Sequence, residues 1–341
     1  MAEAEEGCEA GGKRHGGDGF CDPQEHVSAY RQLMRPARVL LIPLTIDLGG
    51  LHVKRLVLLG SLAVLACAVA VASASPGPAL EATGPHGIVP PRGHAGHGKP
   101  GGSPNLLYHG GGIMTSAAVT SIFWGANWGD SSFAGDKISG LDSFYGTISG
   151  SKYIGTNTEY SGSNGKVGSS VQSGGHVIDT TSSLTRAPRT TSDVLAEVAN
   201  EITNPVANGY YPVYTDLPRG HAGYCAWHSW GSIGGVPVQF AFFFNLDGDP
   251  GCDPRDSSGL HSQGLAALAN VSGHELSEAL TDPRGDAWYD SSGAENADKC
   301  AWTFHAPVNL SGSTWKVQGN WSNAAYNAHT GYTLGGCVDG N

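Results

Sequence analysis

One histidine and two glutamates at helical spacing are the residues best suited to chemistry in this chain. They lie in VSGHELSEALTDP, residues 271–283, where His274 and Glu278 are four positions apart. Residues i and i+4 of a helix share one face, so the two side chains would point to the same place. The pattern differs by one residue from H-E-x-x-H, in which two histidines bind zinc and the first glutamate activates the metal-bound water. We therefore predict that His274 and Glu278 are metal ligands and that Glu275 is the general base.

A catalytic zinc site needs a third protein ligand and one open position. The acidic sequence RGDAWYDSSGAENADKC, residues 284–300, follows the HELSE stretch. Glu295 is the predicted third ligand, with Asp290 and Asp298 as alternatives, and Asp298 could instead orient the histidine. Two carboxylates would neutralise a bound Zn²⁺, which would then acidify its water less and discriminate less against Mn²⁺ or Ca²⁺. The competing interpretation is a surface helix whose acidic residues bind nothing.

A second oxygen-rich stretch is NLDGDPGCDP, with Asp247, Asp249 and Asp253 close together. Loops of this kind can hold Ca²⁺. However, the stretch lacks the mid-loop glycine and the closing glutamate of an EF-hand. A turn held by a disulfide is the competing interpretation.

Two further groups of residues are candidates for contact with a substrate. His228, in CAWHSWG, is one of them. The other is a set of aromatic residues that could either stack against sugars or fill the core: Trp124, Trp128, Trp227, Trp230 and Tyr224.

The composition excludes some classes of function. The net charge of −11 leaves no basic patch to neutralise phosphates, so we expect no nucleic-acid partner. Hydrophobic residues make up 40% of the chain and eight residues are Trp, which favours a globular domain over disorder.

The N-terminal part of the chain indicates export. Lys54 and Arg55 precede an apolar run over residues 56–71, and Ala72-Ser73-Ala74 follows as a cleavage pattern. We predict a signal peptide at 53–74, with residues 1–52 as a mis-started or disordered extension and no stable membrane association after cleavage. An uncleaved anchor is the alternative. Residues 75–105 are predicted to be a Gly/Pro/His-rich linker, in which His86, His94 and His97 are solvated.

Export gives the cysteines a structural role. Four of them follow the predicted cleavage site, and an even number in an exported chain indicates two disulfides. Three pairings are possible. We predict the two that are local in sequence, Cys225 with Cys252 and Cys300 with Cys337.

The remaining residues, 106–341, are predicted to form one zincin-like α+β domain with a mixed sheet and an active-site helix. Apolar or β-rich runs predict strands near residues 117–125, 175–181, 209–216 and 234–246. Helical periodicity predicts one helix over residues 191–202. A second helix, from about 259 to 282, would carry the HELSE residues and end before Pro283.

Several stretches together resemble the EXORDIUM, or phosphate-induced protein, family of exported proteins. They are YHGGGIMTSAAVTSIFWG, CAWHSWG, VPVQFAFFFNLDGDPGCDP, HELSEALTDP and WYDSSGAENADKCAW, and they span residues 107–341. The resemblance implies a single exported domain at the cell exterior or wall. It implies no particular reaction.

Two functions follow from these observations. The first is an exported zincin-like, metal-dependent hydrolase, specifically a peptidase, acting on a peptide or cell-wall substrate. The second is a non-catalytic extracellular or wall-associated protein that binds carbohydrate or an ion. Metal bound at His274 would be compatible with both functions. Only hydrolysis that also depends on Glu275 would identify the protein as the hydrolase.

Overall fold

The computed structural model describes residues 80–81, 84–94 and 104–341, so the predicted signal peptide and the sequence before it lie outside the described residues. The strands are β1 (Leu80–Glu81), β2 (His86–Val89), β3 (Leu107–Tyr108), β4 (Ala117–Trp124), β5 (Ser161–Gly162), β6 (Gly165–Lys166), β7 (Val171–Asp179), β8 (Gly209–Pro218), β9 (Ala226–Ile233), β10 (Val236–Asn245), β11 (Trp288–Tyr289), β12 (Val308–Leu310), β13 (Ser313–Trp315), β14 (Asn320–Trp321) and β15 (Cys337–Val338). The α-helices are α1 (Ser131–Ala134), α2 (Lys137–Ile148), α3 (Lys152–Gly155), α4 (Thr191–Glu201), α5 (Gln263–Thr281) and α6 (Asn323–Ala328). Short 3-10 helices lie at Ala126–Gly129, Thr156–Glu159 and Asp298–Cys300.

A mixed sheet of seven strands organises the fold. Its order is β1-β9-β10-β8-β4-β7, and β2 also pairs with β9. The pairs β10–β8, β8–β4 and β4–β7 are parallel, whereas β1, β2 and β10 run antiparallel to β9. The predicted α+β class with a mixed sheet is confirmed, and the four predicted strands correspond to β4, β7, β8 and β10.

The β9–β10 hairpin adds β9 to the sheet, a strand that the sequence analysis does not predict. Gly234 and Gly235 connect the two strands with φ angles of 59° and 84°. A two-residue turn whose twist matches the strands needs this left-handed backbone, which glycine adopts at little cost. Consecutive residues of a strand point to opposite faces. His228 therefore faces α5, while Trp227 faces the other side of the sheet and stacks against Phe242.

Helix α5 is the central helix of the domain. Ser262 caps it by accepting a hydrogen bond from the Leu265 N–H, and Pro283 follows its C-terminal end. Every residue from Gly264 to Thr281 is buried. The helix contacts α2, β2, β9 and β10. The alternative of a surface helix is therefore wrong, because neighbouring elements cover this helix on all its faces.

Part of the predicted linker belongs to the fold. Strand β2 pairs with β9, and the Val89 side chain is fully buried. The Cys225 N–H donates to the Val89 carbonyl at 2.7 Å, and the Arg92 N–H donates to the Gly251 carbonyl at 2.7 Å. The linker prediction therefore needs correction for residues 84–94. His94 is exposed there as predicted, His86 is half-buried, and His97 lies outside the described residues.

Two disulfides join distant parts of the domain. They pair Cys225 with Cys252 and Cys300 with Cys337, which confirms the predicted connectivity. Such bonds persist in oxidising environments, as found outside the cell. Among the helices of the described residues, none is both long enough and apolar enough to cross a bilayer.

Candidate metal centre

Three elements converge on one buried group of acidic and imidazole side chains. Helix α5 contributes His274, Glu275 and Glu278, while β9 contributes His228. The third element is the segment that follows β11, which supplies Glu295 and Asp298. The 3-10 helix that begins at Asp298 ends at Cys300, so the Cys300–Cys337 disulfide anchors this segment two residues from a candidate ligand.

The first group of potential ligands is His274, Glu278 and Asp298. The Nε2 atom of His274 lies 3.0 Å from Glu278 Oε1 and 3.4 Å from Asp298 Oδ1. The Asp298 N–H donates to Glu278 Oε1 at 2.8 Å, and Asp298 Oδ2 accepts from the Glu295 N–H at 3.1 Å. Backbone donors thus hold both carboxylates in place and leave Asp298 Oδ1 facing the imidazole.

The atoms of this group are close together, but Nε2 of His274 makes no hydrogen bond to either carboxylate. It is buried and without a hydrogen-bond partner, as is Glu278 Oε2. Donors around a tetrahedral ion at about 2.0–2.2 Å lie roughly 3.3–3.6 Å from one another. The separations of 3.0 and 3.4 Å are near that range. The 3.4 Å separation falls in that range and the 3.0 Å separation is slightly shorter, so the arrangement, with Nε2 lacking a hydrogen bond, is compatible with donors that share an ion.

Gln318 orients the His274 ring from its other side. Its side-chain nitrogen lies 2.8 Å from His274 Nδ1 and donates to the Ala297 carbonyl at 2.9 Å, while its oxygen accepts from the Trp302 N–H at 3.2 Å. With the amide in this orientation, the proton of a neutral ring is on Nε2. A metal on Nε2 would require the ring proton on Nδ1, and the Gln318 oxygen could accept it only if the amide turned over and gave up its bonds to Ala297 and Trp302. No sequence pattern points to this residue, because Gln318 is remote from α5 along the chain.

The second group of potential ligands surrounds His228. Among the described residues, ligand atoms of His228, Glu275 and Glu278 all lie within 4.8 Å of one another. The Nε2 atom of His228 is also 3.3 Å from Glu295 Oε2. Both oxygens of Glu275 are buried and lack a hydrogen-bond partner. Sequence reasoning had noted His228 only as a substrate contact, because β9 was not recognised as a strand beside α5.

The structure places the three candidates for the third ligand in different surroundings. Asp298 is within reach of His274, whereas Glu295 lies against His228. Asp290 is elsewhere: its Oδ2 accepts from Lys299 Nζ at 2.6 Å, and its Oδ1 accepts from the Ser292 N–H at 2.8 Å. Asp290 therefore needs correction as an alternative, because a lysine already neutralises it. Asp298 occupies the place that was predicted for Glu295.

The cluster is acidic and has little contact with water. His228, His274, Glu275 and Glu278 are fully buried, and Glu295 is 4% exposed. The ion pairs that lysines and arginines form in the described part of the chain involve Asp247, Asp249 and Asp290, none of which belongs to the cluster. A buried carboxylate that no cation balances is costly. Bound cations or protons would therefore stabilise this site by balancing its negative charge.

Burial and mutual repulsion shift the pKa values of these groups. Burial raises the pKa of Glu278 to about 7, and the Asp298 charge adds to the shift. Burial likewise raises the pKa values of Glu275 and Glu295 well above their usual range. Burial alone would lower the pKa of His274, but the Glu278 and Asp298 carboxylates raise it well above its ordinary value. Without a metal, the cluster would thus hold protons at neutral pH as its only source of positive charge.

Strand β2 covers the cluster at Gly87. A Cβ built at this position would lie 2.0 Å from Glu278 Oε2 and 2.5 Å from His228 Cδ2. The neighbouring His86 places its ring centroid 6.1 Å from that of His228, and its Nε2 atom is buried without a hydrogen-bond partner. Only a glycine lets this strand lie against the acidic group. On this side, a substrate would therefore reach Glu278 and His228 only if β2 moved aside.

The loop with three aspartates is built differently from the cluster. Asp247 forms an ion pair with Lys137, and Asp249 forms one with Arg219. Asp253 accepts from the Arg255 N–H at 2.7 Å. The predicted calcium site needs correction, because each aspartate is engaged with its own partner and the three do not converge.

The aromatic residues proposed as a sugar-stacking surface are largely part of the core. Trp124, Trp128 and Trp227 are buried, while Trp230 and Tyr224 are half-buried. Trp128 packs edge-on against Phe123 with ring centroids 4.8 Å apart. The core interpretation is therefore correct for Trp124, Trp128 and Trp227, because a buried ring cannot stack against a sugar.

Comparisons of the chain with family models, with curated proteins and with solved structures found no match.

Proposed function

We propose that this protein is an exported, metal-dependent hydrolase and that its first activity to test is peptide hydrolysis. The observation that carries the proposal is the convergence of His274, Glu278 and Asp298, which present buried donor atoms 3.0–3.4 Å from the imidazole nitrogen. The predicted signal peptide and the resemblance to EXORDIUM-like exported proteins support a role outside the cell. The two disulfides are consistent with that location.

Each residue would have a distinct task. His274, Glu278 and Asp298 would hold the ion, preferably Zn²⁺, and the ion would lower the pKa of a bound water and polarise a carbonyl. Glu275 would take the proton of that water, because its oxygens lie beside the ligands and are not engaged by any hydrogen-bond donor. Gln318 would hold the imidazole in its orientation. Asp298 replaces the predicted Glu295 as the third ligand.

A second function is favoured by the covering strand. Gly87 lies against Glu278 and His228, and the ligands His274 and Glu278 are fully buried. Structural metal sites are closed, whereas catalytic ones keep an open position. In this alternative the ion would stabilise an extracellular or wall-associated protein that has no catalytic activity.

Metal analysis of the purified mature protein is the first experiment. The proposal predicts bound metal that is lost in His274→Ala and retained in the control His176→Ala, whose histidine pairs with Asp142 away from the centre. Absence of metal from the wild-type protein would contradict both functions.

Hydrolysis of a fluorescent peptide library then separates the two functions. The hydrolase predicts turnover that is abolished in Glu275→Gln while the metal at His274 remains. Unchanged turnover in this variant would remove Glu275 from its role as base. Stoichiometric metal without turnover of peptides would favour the structural ion.

A further inference from the structure

The two imidazoles of the cluster face different oxygens of one carboxylate. His274 Nε2 lies 3.0 Å from Glu278 Oε1, whereas His228 Nε2 lies 3.9 Å from Glu278 Oε2. Glu278 is thus placed between two histidines that come from α5 and β9. A carboxylate in this position can give one oxygen to each of two cations.

A single ion does not account for both histidines. Donors that share one ion at about 2.0–2.2 Å lie at most roughly 4.4 Å apart. Among the described residues, two groups of ligand atoms within 4.8 Å of one another contain Glu278, one with His228 and one with His274, and no group contains both imidazoles. The donors therefore define two positions that share Glu278.

The second position contains a carboxylate without hydrogen-bond partners. Beside it, Glu295 Oε2 and His228 Nε2 are hydrogen-bonded to each other at 3.3 Å, a separation that neighbouring ligands of one ion also have. Glu275 is fully buried, and neither of its oxygens has a hydrogen-bond partner. The partnerless Glu275 is evidence independent of the first group, because one ion bound by His274, Glu278 and Asp298 would not need Glu275.

The formal charges of the ionised carboxylates are also matched by two cations rather than one. Glu275, Glu278, Glu295 and Asp298 together carry four negative charges when ionised, and neutral imidazoles add none. One divalent cation would leave a charge of about −2 in a largely buried volume, whereas two would bring the sum to zero. No lysine or arginine of the described residues that forms an ion pair does so with these four residues.

We propose that the protein binds two divalent cations, with Glu278 as the bridging ligand, with His228 as the histidine ligand of the second ion, and with the Glu275 and Glu295 carboxylates flanking that ion. The inference rests on the proposed function for its first ion, at His274 and Asp298. Glu275 lies beside the second ion and contributes the fourth negative charge. Imidazole and carboxylate donors suit Zn²⁺ and Mn²⁺, so these are the ions to test.

Metal stoichiometry of the full, purified chain is the first test. After equilibration with Zn²⁺ and removal of excess, the wild-type protein should contain two ions per chain. His228→Gln, which keeps a polar side chain of similar size, should contain one. His176→Gln is the matched control and should contain two.

The outcomes separate this inference from the proposed function. One ion per wild-type chain, retained in His228→Gln, would overturn the second position and leave the first intact. No ion in the wild-type protein would overturn both. Two ions in wild type and one in His228→Gln would support the pair of positions.

Electron paramagnetic resonance of the Mn²⁺-loaded wild-type protein tests the bridge without any variant. Ions that share a carboxylate lie about 3.5–4 Å apart, and two Mn²⁺ ions at that distance should give an exchange-coupled signal. A six-line spectrum of isolated Mn²⁺ at full loading would overturn the bridging role of Glu278. This measurement stands even if His228→Gln fails to fold.

Discussion

Two acidic regions of this protein look alike in sequence and differ in structure. The loop around Asp247 and Asp249 carries carboxylates at short spacing, and so does helix α5. In the loop, Lys137 and Arg219 neutralise these aspartates. In the α5 cluster, the buried carboxylates have no such partner and several of their oxygens lack hydrogen bonds. The difference teaches that the absence of a compensating charge, rather than the density of acidic residues, marks a candidate metal site.

The largest expected effect is the loss of metal from Glu278→Gln. This change removes a charged ligand but keeps the shape of the side chain. By analogy with breaking a buried ion pair, the cost is roughly 3–5 kcal/mol, or at least about a 100-fold loss of affinity. Asp249→Asn is the control from the other acidic region and should leave the affinity unchanged. Competition with a chromophoric chelator measures both, and equal losses would remove the distinction between the regions.

Metal removal should lower the free energy of unfolding by somewhat less than the binding free energy that Glu278→Gln loses. A cation present at about 100 times its dissociation constant adds about 2.7 kcal/mol to the free energy of unfolding. For a domain of this size, that corresponds to a melting temperature lower by about 5–10 °C after chelation. Differential scanning calorimetry with and without chelator measures the shift. An unchanged melting temperature would mean that protons alone satisfy the α5 cluster.

Gln318→Met should weaken metal binding by about 10-fold, which is at the low end for residues that orient a ligand. The variant keeps the length of the side chain but loses the contact between the amide and His274 Nδ1. Gln239→Met is the matched control, since Gln239 is a buried glutamine on β10 that is outside the cluster. Isothermal titration would show the effect. Equal affinities in all three proteins would assign Gln318 a structural role only.

A third acidic group, formed by Asp179, Glu197 and Glu201, tests how burial acts on a carboxylate outside the α5 cluster. Burial raises the pKa of Glu197 to about 7 from an ordinary 4.5, and the Asp179 charge adds to this shift. Because the folded state holds this proton more tightly, the stabilising contribution is full below pH 4.5 and is lost as the pH rises towards 7.

Glu197→Gln should therefore remove a decline in stability between about pH 4.5 and 7, and should be more stable than wild type above pH 7. Urea unfolding across this pH range measures the effect. Asp193→Asn, on the exposed side of the same helix, should keep the decline. A decline that persists in Glu197→Gln would place its origin in other groups.

Local patterns were enough for much of the fold. The apolar runs that became β4, β8 and β10 predict strands because a buried strand needs little more than β-branched and aromatic residues between turns. The two long predicted helices, α4 and α5, begin and end close to the expected residues. For α5 the signals are local, because Ser262 caps its first turn and Pro283 follows its last. Strand β9 was missed, because CAWHSWG has no clear alternation, and β2 was missed because its Pro/Gly-rich surroundings are typical of a linker.

The sequence by itself determined the spacing of His274, Glu275 and Glu278, the number of cysteines available for pairing and the acidic character of the chain. Only the tertiary structure decided that Asp298 rather than Glu295 approaches His274, that His228 joins the cluster and that Gly87 covers it. The reason is physical. Helical spacing is a property of adjacent residues, whereas distances between α5, β9 and the segment after β11 depend on how the sheet is ordered and where the disulfides close.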